Sequence, residues 1–131
     1  MSSPLIIYDS GTGKVKLFVR KLGLNALFLR NIEKVNEPFV LVTYTAGYGE
    51  MPESTERFLN DNHQFLLAVS ASGNRRWKDF AGAADRVFEK FGVPIISKFE
   101  GAGNINDVKT FIEGIGHFDN SSNGNYGLLR A

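Results

Sequence analysis

The chain has 131 residues, the length of one ordinary domain, and 43% of them are hydrophobic, with eleven phenylalanines available to fill a core. Its formal net charge of +1 is not the basic composition of a polyanion-binding protein, and no apolar run approaches the roughly 18 residues that span a membrane. The lack of cysteine excludes disulfides and thiol redox chemistry, and two histidines without ligand spacing argue against a dedicated transition-metal site.

Apolar runs of strand length alternate with segments of helical period along most of the chain. In chain order, the predicted elements are a strand at Leu5–Tyr8, a helix at about 13–22 closed by Gly23, an edge strand at Ala26–Leu29, a strand at Phe39–Thr43, a helix from Pro52 to about Asn60, a strand at Leu66–Ser70, a helix ended by Gly92 and Pro94, a strand at Ile95–Phe99 and a helix at about 106–116.

The spacing of apolar residues also predicts which faces of the last two helices are buried. We expect one inward face made of Phe80, Ala84, Val87, Phe88 and Phe91, and another made of Val108, Phe111, Ile112 and Ile115. Residues 118–131 are rich in Asn, Gly and Ser without a period, and they are interpreted as a polar flexible tail behind a domain at 1–117.

Five strands alternating with helices predict an α/β fold with a doubly wound parallel sheet and helices on both faces. The chain length favours the flavodoxin-like strand order 2-1-3-4-5. Ligands of such sheets bind beyond the carboxyl ends of the strands, where the winding direction reverses, which here is beside the first and third strands.

Three loops should meet at that edge of the sheet. The first, Ser10–Lys14, lies between the first strand and the first amphipathic helix, so its backbone N–H groups and the helix dipole suit a phosphate. The other two loops, 43–49 and 70–77, contain glycines and aromatic residues that suit a flat ring. Together they describe a flavin mononucleotide (FMN) site better than a triphosphate site, which would require GxxxxGK[ST].

Each feature also has a purely structural interpretation. The first loop can be an ordinary tight turn, Tyr44 and Tyr48 can pack on the rim of the sheet, and Trp77 can anchor the start of a helix. The basic residues Arg75, Arg76 and Lys78 are usually solvated, but near the ring they would favour anionic reduced flavin. Asp9 is interpreted as a turn residue rather than a site acid.

The sequence resembles the NrdI family, flavodoxin-like FMN proteins of class Ib ribonucleotide reductase. The resemblance rests on Thr43–Gly49 followed by Pro52-Glu53, on Val69–Arg75, and on Val93-Pro94-Ile95 with Lys98-Phe99-Glu100. It extends from Leu5 to about Ile115. Arg76-Trp77-Lys78, the segment 101–104 and Lys14 depart from the family's usual residues, which leaves the identity of the partner open more than FMN binding.

The resemblance implies that reduced FMN converts O2 to a reduced oxygen species, taken as superoxide, for assembly of the dimanganese-tyrosyl radical cofactor of the reductase's dimetal small subunit. An electron-donor reductase is then the second protein partner, and we expect no nucleic-acid or membrane partner and a cytoplasmic location. No metal ligand and no protein catalytic group is expected, because no nucleophile–base pair or paired carboxylates occur in the loops and the chemistry belongs to the flavin.

Carried over residue by residue, the resemblance implies a phosphate cradle, a border of the isoalloxazine ring that includes the Gly47 peptide at flavin N5, and a second side of the ring. The expected cofactor-binding residues are Ser10, Gly11, Thr12, Gly13, Lys14 and Val15, then Thr43, Tyr44, Thr45, Ala46, Gly47, Tyr48 and Gly49, then Ser72, Gly73, Asn74 and Trp77.

Two other functions share this fold. A general flavodoxin-type one-electron carrier would use the same cofactor, although flavodoxins are typically acidic and this chain has a net charge of +1. A phosphoacceptor receiver domain would need an aspartate at the end of the third strand, and that strand ends Val42-Thr43-Tyr44 instead.

Overall fold

The computed structural model describes residues 3–118 and confirms the predicted parallel five-stranded sheet in the order β2-β1-β3-β4-β5. The elements are β1 (Leu5–Tyr8), α1 (Lys14–Leu22), β2 (Ala26–Phe28), β3 (Phe39–Thr43), α2 (Glu53–Asn62), β4 (Leu66–Gly73), α3 (Gly82–Phe91), β5 (Ile95–Glu100) and α4 (Ile105–Ile115), with short 3-10 turns at Leu29–Asn31, His63–Phe65 and Gly116–Phe118. Within these residues no helix has the length and apolar character needed to cross a bilayer.

The sheet separates two apolar cores. On one face, α1 and α4 cover the sheet with residues such as Val15, Val108 and Phe111. On the other face, α2 and α3 contribute Phe58, Leu59 and smaller side chains. Because helices cover both faces, β3 is completely buried and its sequence is continuously apolar up to Thr43.

Three phenylalanines tie the α1/α4 face together. The Phe18 ring stacks on Phe99 of β5 with centroids 3.9 Å apart, and the Phe111 ring of α4 meets it edge-on at 5.7 Å. All three side chains are fully buried. This cluster fixes α1, and with it the loop that precedes α1, against the end of β5.

Strand β4 is longer than the sequence predicts. It continues past Ser70 to Gly73 because residues 70–73 pair in register with Ser97–Glu100 of β5. The pairing was not visible in the sequence, since Ser70–Gly73 is small and hydroxylated and reads as a loop. Ser72 and Gly73 therefore lie at the end of a strand instead of in a flexible segment.

Two predicted core positions are wrong. Phe88 of α3 is 52% exposed and Ile112 of α4 is 42% exposed. In α3 the buried residues that pack in the core are Ala83, Ala84 and Val87, and Phe88 lies outside this stripe. Phe80 precedes the helix, although its side chain still packs against the core.

The predicted tail begins at a buried residue. Phe118 is 6% exposed and packs in the α1/α4 core, so the packed domain includes this position. The rest of the predicted tail, residues 119–131, lies outside the part of the chain that the structure describes.

Candidate functional site

A cavity of about 470 Å³ lies at the carboxyl ends of β1, β3, β4 and β5. This is the edge of the sheet that the winding rule predicts for a ligand. Of the expected cofactor-binding residues, the structure brings together Gly11, Thr12, Lys14, Val15, Tyr44, Thr45, Gly47, Gly49, Ser72, Gly73, Asn74 and Trp77 as lining of this cavity.

The loop between β1 and α1 and the first residues of α1 carry unused backbone hydrogen-bond donors beside the cavity. Among residues 3–118, the backbone N–H groups of residues 11–15 have no protein acceptor, whereas Leu17 N–H donates to the Gly13 carbonyl at 3.0 Å. Ser10 Oγ accepts from Lys16 N–H at 3.3 Å, so this hydroxyl satisfies the first turn of α1. Open amides at a helix N-terminus, with Lys14 beside them, are a donor set that suits an anion such as phosphate.

Five expected residues do not line the cavity. Ser10 and Gly13 stabilise the first loop without lining the cavity. Ser10 accepts a hydrogen bond from Lys16 N–H, and Gly13 turns the chain with a positive φ of 97°. Thr43 is fully buried, and its hydroxyl contacts Thr55 Oγ1 at 2.9 Å. Ala46 pairs through its backbone with Glu50. Tyr48 is 75% exposed, and its ring meets Trp77 edge-on with centroids 5.1 Å apart, so the pair forms an open aromatic rim.

The loop after β3 is held at fixed points. Thr45 Oγ1 donates to the Ser72 carbonyl at 2.8 Å, which ties this loop to the end of β4. The Ala46 and Glu50 backbones exchange two hydrogen bonds of 2.8 Å, which close the turn that contains Gly47. Gly47 has a φ of 51°, a left-handed conformation that glycine adopts without strain. The Gly47 peptide thus lies at the cavity in a turn that glycine can rearrange.

Replacing Gly49 with alanine is expected to destabilise the protein by about 2 kcal/mol, because alanine is strained at positive φ. Gly49 has a φ of 117°, and an added Cβ would lie 2.6 Å from Asp79 Cβ. The matched control is Gly116→Ala, where φ is −59° and nothing lies within 4 Å of the added atom. Urea unfolding of both variants measures the difference, and equal stabilities would contradict the strain argument.

Four residues of the lining were not predicted: Asp79, Ala81, Glu100 and Gly101. A signal for the last two is present in the sequence, since Glu100 ends β5 and Gly101 follows it, and β5 neighbours β4 in the sheet. No pattern in the sequence indicates that Ala81 lines the cavity. Ala81 is buried and has a φ of 49°, and it is the only non-glycine residue at positive φ among residues 3–118. A Cβ on Gly73 would lie 2.5 Å from Ala81 N, so the end of β4 and the segment before α3 need a glycine at this contact.

The basic segment 75–78 does not supply cations to the cavity lining. The Arg75 guanidinium lies 4.5 Å from the Phe80 ring centroid and 3.9 Å from Glu100, and Arg76 and Lys78 are exposed outside the lining. The charged groups that do line the cavity are Lys14, Asp79 and Glu100. The three basic side chains are exposed, as their interpretation as solvated charge expects, and Arg75 contacts an acid and an aromatic face at the rim.

Asp9 is neither a turn residue nor a lining acid. It is fully buried at the end of β1, where its carboxylate accepts from Arg30 Nε at 2.9 Å and from Thr55 Oγ1 at 2.8 Å, and also contacts Ser54 Oγ. Its backbone N–H donates to the Val42 carbonyl. Nothing in the sequence indicates this structural role, since the partners are 21 to 46 residues away.

The donor set and the shape fit FMN. Open amides and a lysine at one end of the cavity suit a phosphate, and the walls further along carry Tyr44, Trp77 and glycine backbone, which suit a flat ring. The volume lies within the range of about 300–1,000 Å³ that is usual for small-molecule sites.

Comparisons with known proteins agree with this description. A family model described as NrdI flavodoxin-like matches residues 6–113. "Protein NrdI" of Bacillus licheniformis is 46% identical over 110 residues, which cover 82% of this chain and 84% of the relative. "Protein NrdI" of Macrococcus caseolyticus is 47% identical over 109 residues, with the same two coverages.

A solved structure shares the fold. A short-chain flavodoxin associated with a non-canonical PDU bacterial microcompartment superposes with a TM-score of 0.59 over 90% of this chain and 99% of its own, at 18% identity. An identity that low supports the flavodoxin-like architecture alone. The family match and the two relatives go further, and they show that the chain belongs to the NrdI family of flavodoxin-like proteins.

Proposed function

We propose that this chain, which uses FMN as its cofactor, reduces O2 to superoxide for assembly of the dimanganese-tyrosyl radical cofactor in the small subunit of class Ib ribonucleotide reductase. One observation carries the FMN assignment: Gly11, Thr12, Lys14 and Val15, whose amides have no protein acceptor, line the same cavity as the aromatic and glycine-bearing loops, in a chain of the NrdI family. An electron-donor reductase completes the cycle.

The residues of the first loop would bind and orient the phosphate of FMN. The amides of residues 11–15 and the Lys14 ammonium would hold the phosphate, and the α1 dipole adds positive potential there. A Cβ on Gly11 would lie 3.1 Å from the Tyr44 ring, so the phosphate end of the cavity and the ring wall are close neighbours. This contact would set how far along the cavity the isoalloxazine lies.

The residues of the second and third loops would surround the ring. Bound FMN supplies the electron-transfer chemistry, and the protein governs access and local charge. The Gly47 carbonyl is the group proposed to accept a hydrogen bond from N5, in a turn that glycine can rearrange. The carboxylates of Asp79 and Glu100 in the lining would disfavour negative charge on the reduced flavin ring. This repulsion would promote loss of an electron from the ring to O2.

Access for O2 and a docking partner is proposed at the rim. Gly47, Tyr48 and Trp77 border the cavity on its exposed side, and Tyr48 is the most exposed large hydrophobic residue among those described. Exposed aromatic residues are enriched at protein interfaces. The dimetal small subunit would cover this rim so that the oxidant passes directly to the metal pair.

The decisive experiment mixes the reduced FMN-loaded protein with the manganese-loaded small subunit in air and measures the tyrosyl radical by electron paramagnetic resonance. We expect radical formation that scales with reduced protein, and none with the oxidised protein as the control. If the radical appears only when an external oxidant is added, the proposed role is wrong. Efficient electron delivery to an acceptor protein without radical assembly would instead support a flavodoxin-type carrier.

A further inference from the structure

We infer that Arg30, which lies outside the FMN cavity, is a positioning residue that holds the Tyr44 ring as the wall between two neighbouring cavities. The inference rests on the proposal that the cavity of about 470 Å³ at the carboxyl ends of the strands binds FMN. A second cavity of about 660 Å³ is lined by the segment after β2 and by α2, with Arg30 and Ser54 among its residues. Within residues 3–118, Tyr44 is the one side chain common to the two linings.

The anchor of this arrangement is Asp9. A fully buried carboxylate is costly unless its oxygens are hydrogen-bonded or paired with a cation. Here one oxygen accepts from Arg30 Nε at 2.9 Å, and the other accepts from Thr55 Oγ1 at 2.8 Å and contacts Ser54. Although 43% of the Arg30 side chain is exposed, its guanidinium is therefore fixed in place at the end of β1.

Arg30 transmits this constraint to Tyr44. A second nitrogen of the same guanidinium, Nη2, donates to the Tyr44 hydroxyl at 3.3 Å, and the guanidinium carbon lies 5.6 Å from the Phe28 ring centroid. The planar fork lets one side chain reach the acid and the phenol at the same time, which a lysine ammonium cannot do from one position.

The position of the Tyr44 ring matters because the ring covers the first loop. A Cβ on Gly11 would lie 3.1 Å from Tyr44 Cε2 and 3.2 Å from Cζ, so the ring is in close contact with the backbone of the proposed phosphate cradle. Without the bond from Arg30, the phenol can turn toward the second cavity. The wall beside FMN would then open, and FMN would be held less tightly and in a less fixed orientation.

The test compares Tyr44→Phe and Arg30→Met with the unchanged protein, using fluorescence titration for FMN affinity and visible circular dichroism of bound FMN for the orientation of its surroundings. Loss of one partly exposed hydrogen bond predicts affinity weakened about threefold in each variant, with a smaller dichroic band per bound FMN. The double variant is expected to match the single ones, because both remove the same contact.

Two further variants separate positioning from stability. Arg30→Met leaves the buried Asp9 without its cation and can impair folding. Tyr44→Phe and Arg30→Lys both keep a cation near Asp9. We therefore expect these two variants to fold normally and still show the smaller dichroic band per bound FMN. Arg57→Met is the control, since Arg57 lines the same second cavity and, among residues 3–118, forms an ion pair with exposed Glu53 alone. It should bind FMN unchanged.

Unchanged affinity and dichroism in Tyr44→Phe would overturn the inference, as would losses in Arg30→Met and Tyr44→Phe that add fully in the double variant. Neither measurement involves the small subunit. If the unchanged protein binds FMN but fails to assemble the radical, the proposed function is wrong while the role of Arg30 is still decided by these titrations.

Discussion

Thr12→Asp is expected to weaken FMN binding by about a hundredfold while leaving riboflavin binding nearly unchanged. A carboxylate placed about 4 Å from a phosphate repels it by about 4 kcal/mol at an effective dielectric constant of 20, and exposure of the loop reduces this to about 2–3 kcal/mol. Thr12 is exposed and lines the cavity next to the open amides, so the new charge would meet the phosphate and not the core.

The measurement is an equilibrium titration of the apoprotein with FMN and, separately, with riboflavin, which has the same ring but no phosphate. Thr12→Ser is the matched control for the loop and should bind FMN normally. Gln64→Glu adds the same charge at an exposed position beside the start of β4, at the opposite end of that strand, and should also bind normally. Equal losses of FMN and riboflavin in Thr12→Asp would contradict a phosphate site at residues 11–15.

Phe111→Ala is expected to lower the free energy of unfolding by about 3–5 kcal/mol, the usual cost of removing a buried phenylalanine. The Phe111 side chain is fully buried and packs edge-on against Phe18, which in turn stacks on Phe99. The substitution leaves a cavity at the junction of α4, α1 and β5. For a domain of this size the melting temperature should fall by about 10–20 °C.

Phe88→Ala is the control for the same chemical change on the other face of the sheet. Because Phe88 is 52% exposed, its loss should change stability by no more than about 0.5 kcal/mol. Urea unfolding of both apoproteins gives the comparison. Similar losses in the two variants would contradict the division between buried and exposed phenylalanines, which the helical spacing alone did not predict.

Local patterns in the sequence were sufficient to locate the five strands, although not all of their ends. Buried parallel strands read as continuous apolar runs, and Phe39–Thr43 was predicted with its observed bounds. Gly23 was predicted to close α1 and does so in a left-handed conformation, because the helix end requires a positive φ that glycine adopts easily. Such features depend on neighbours in the chain, so the sequence displays them directly.

These local patterns did not predict contacts between segments that are distant in the sequence. Asp79, Ala81 and Glu100 join the cavity lining only because α3 and β5 pack beside β4, and Arg75 is turned toward Glu100 by a contact across 25 residues. The role of Asp9 likewise depends on α2 bringing Thr55 to the end of β1. The direction of these side chains is set by contacts between segments that are distant in the sequence.

By itself, the sequence determined the fold class, the family and the end of the sheet where the ligand loops meet, because apolar period and loop motifs are local properties. Only the tertiary structure decided which side chains face the cavity, which charges surround it and that Arg30 holds Tyr44. Those outcomes are set by packing and by the need to satisfy a buried carboxylate, and both involve residues far apart in the chain.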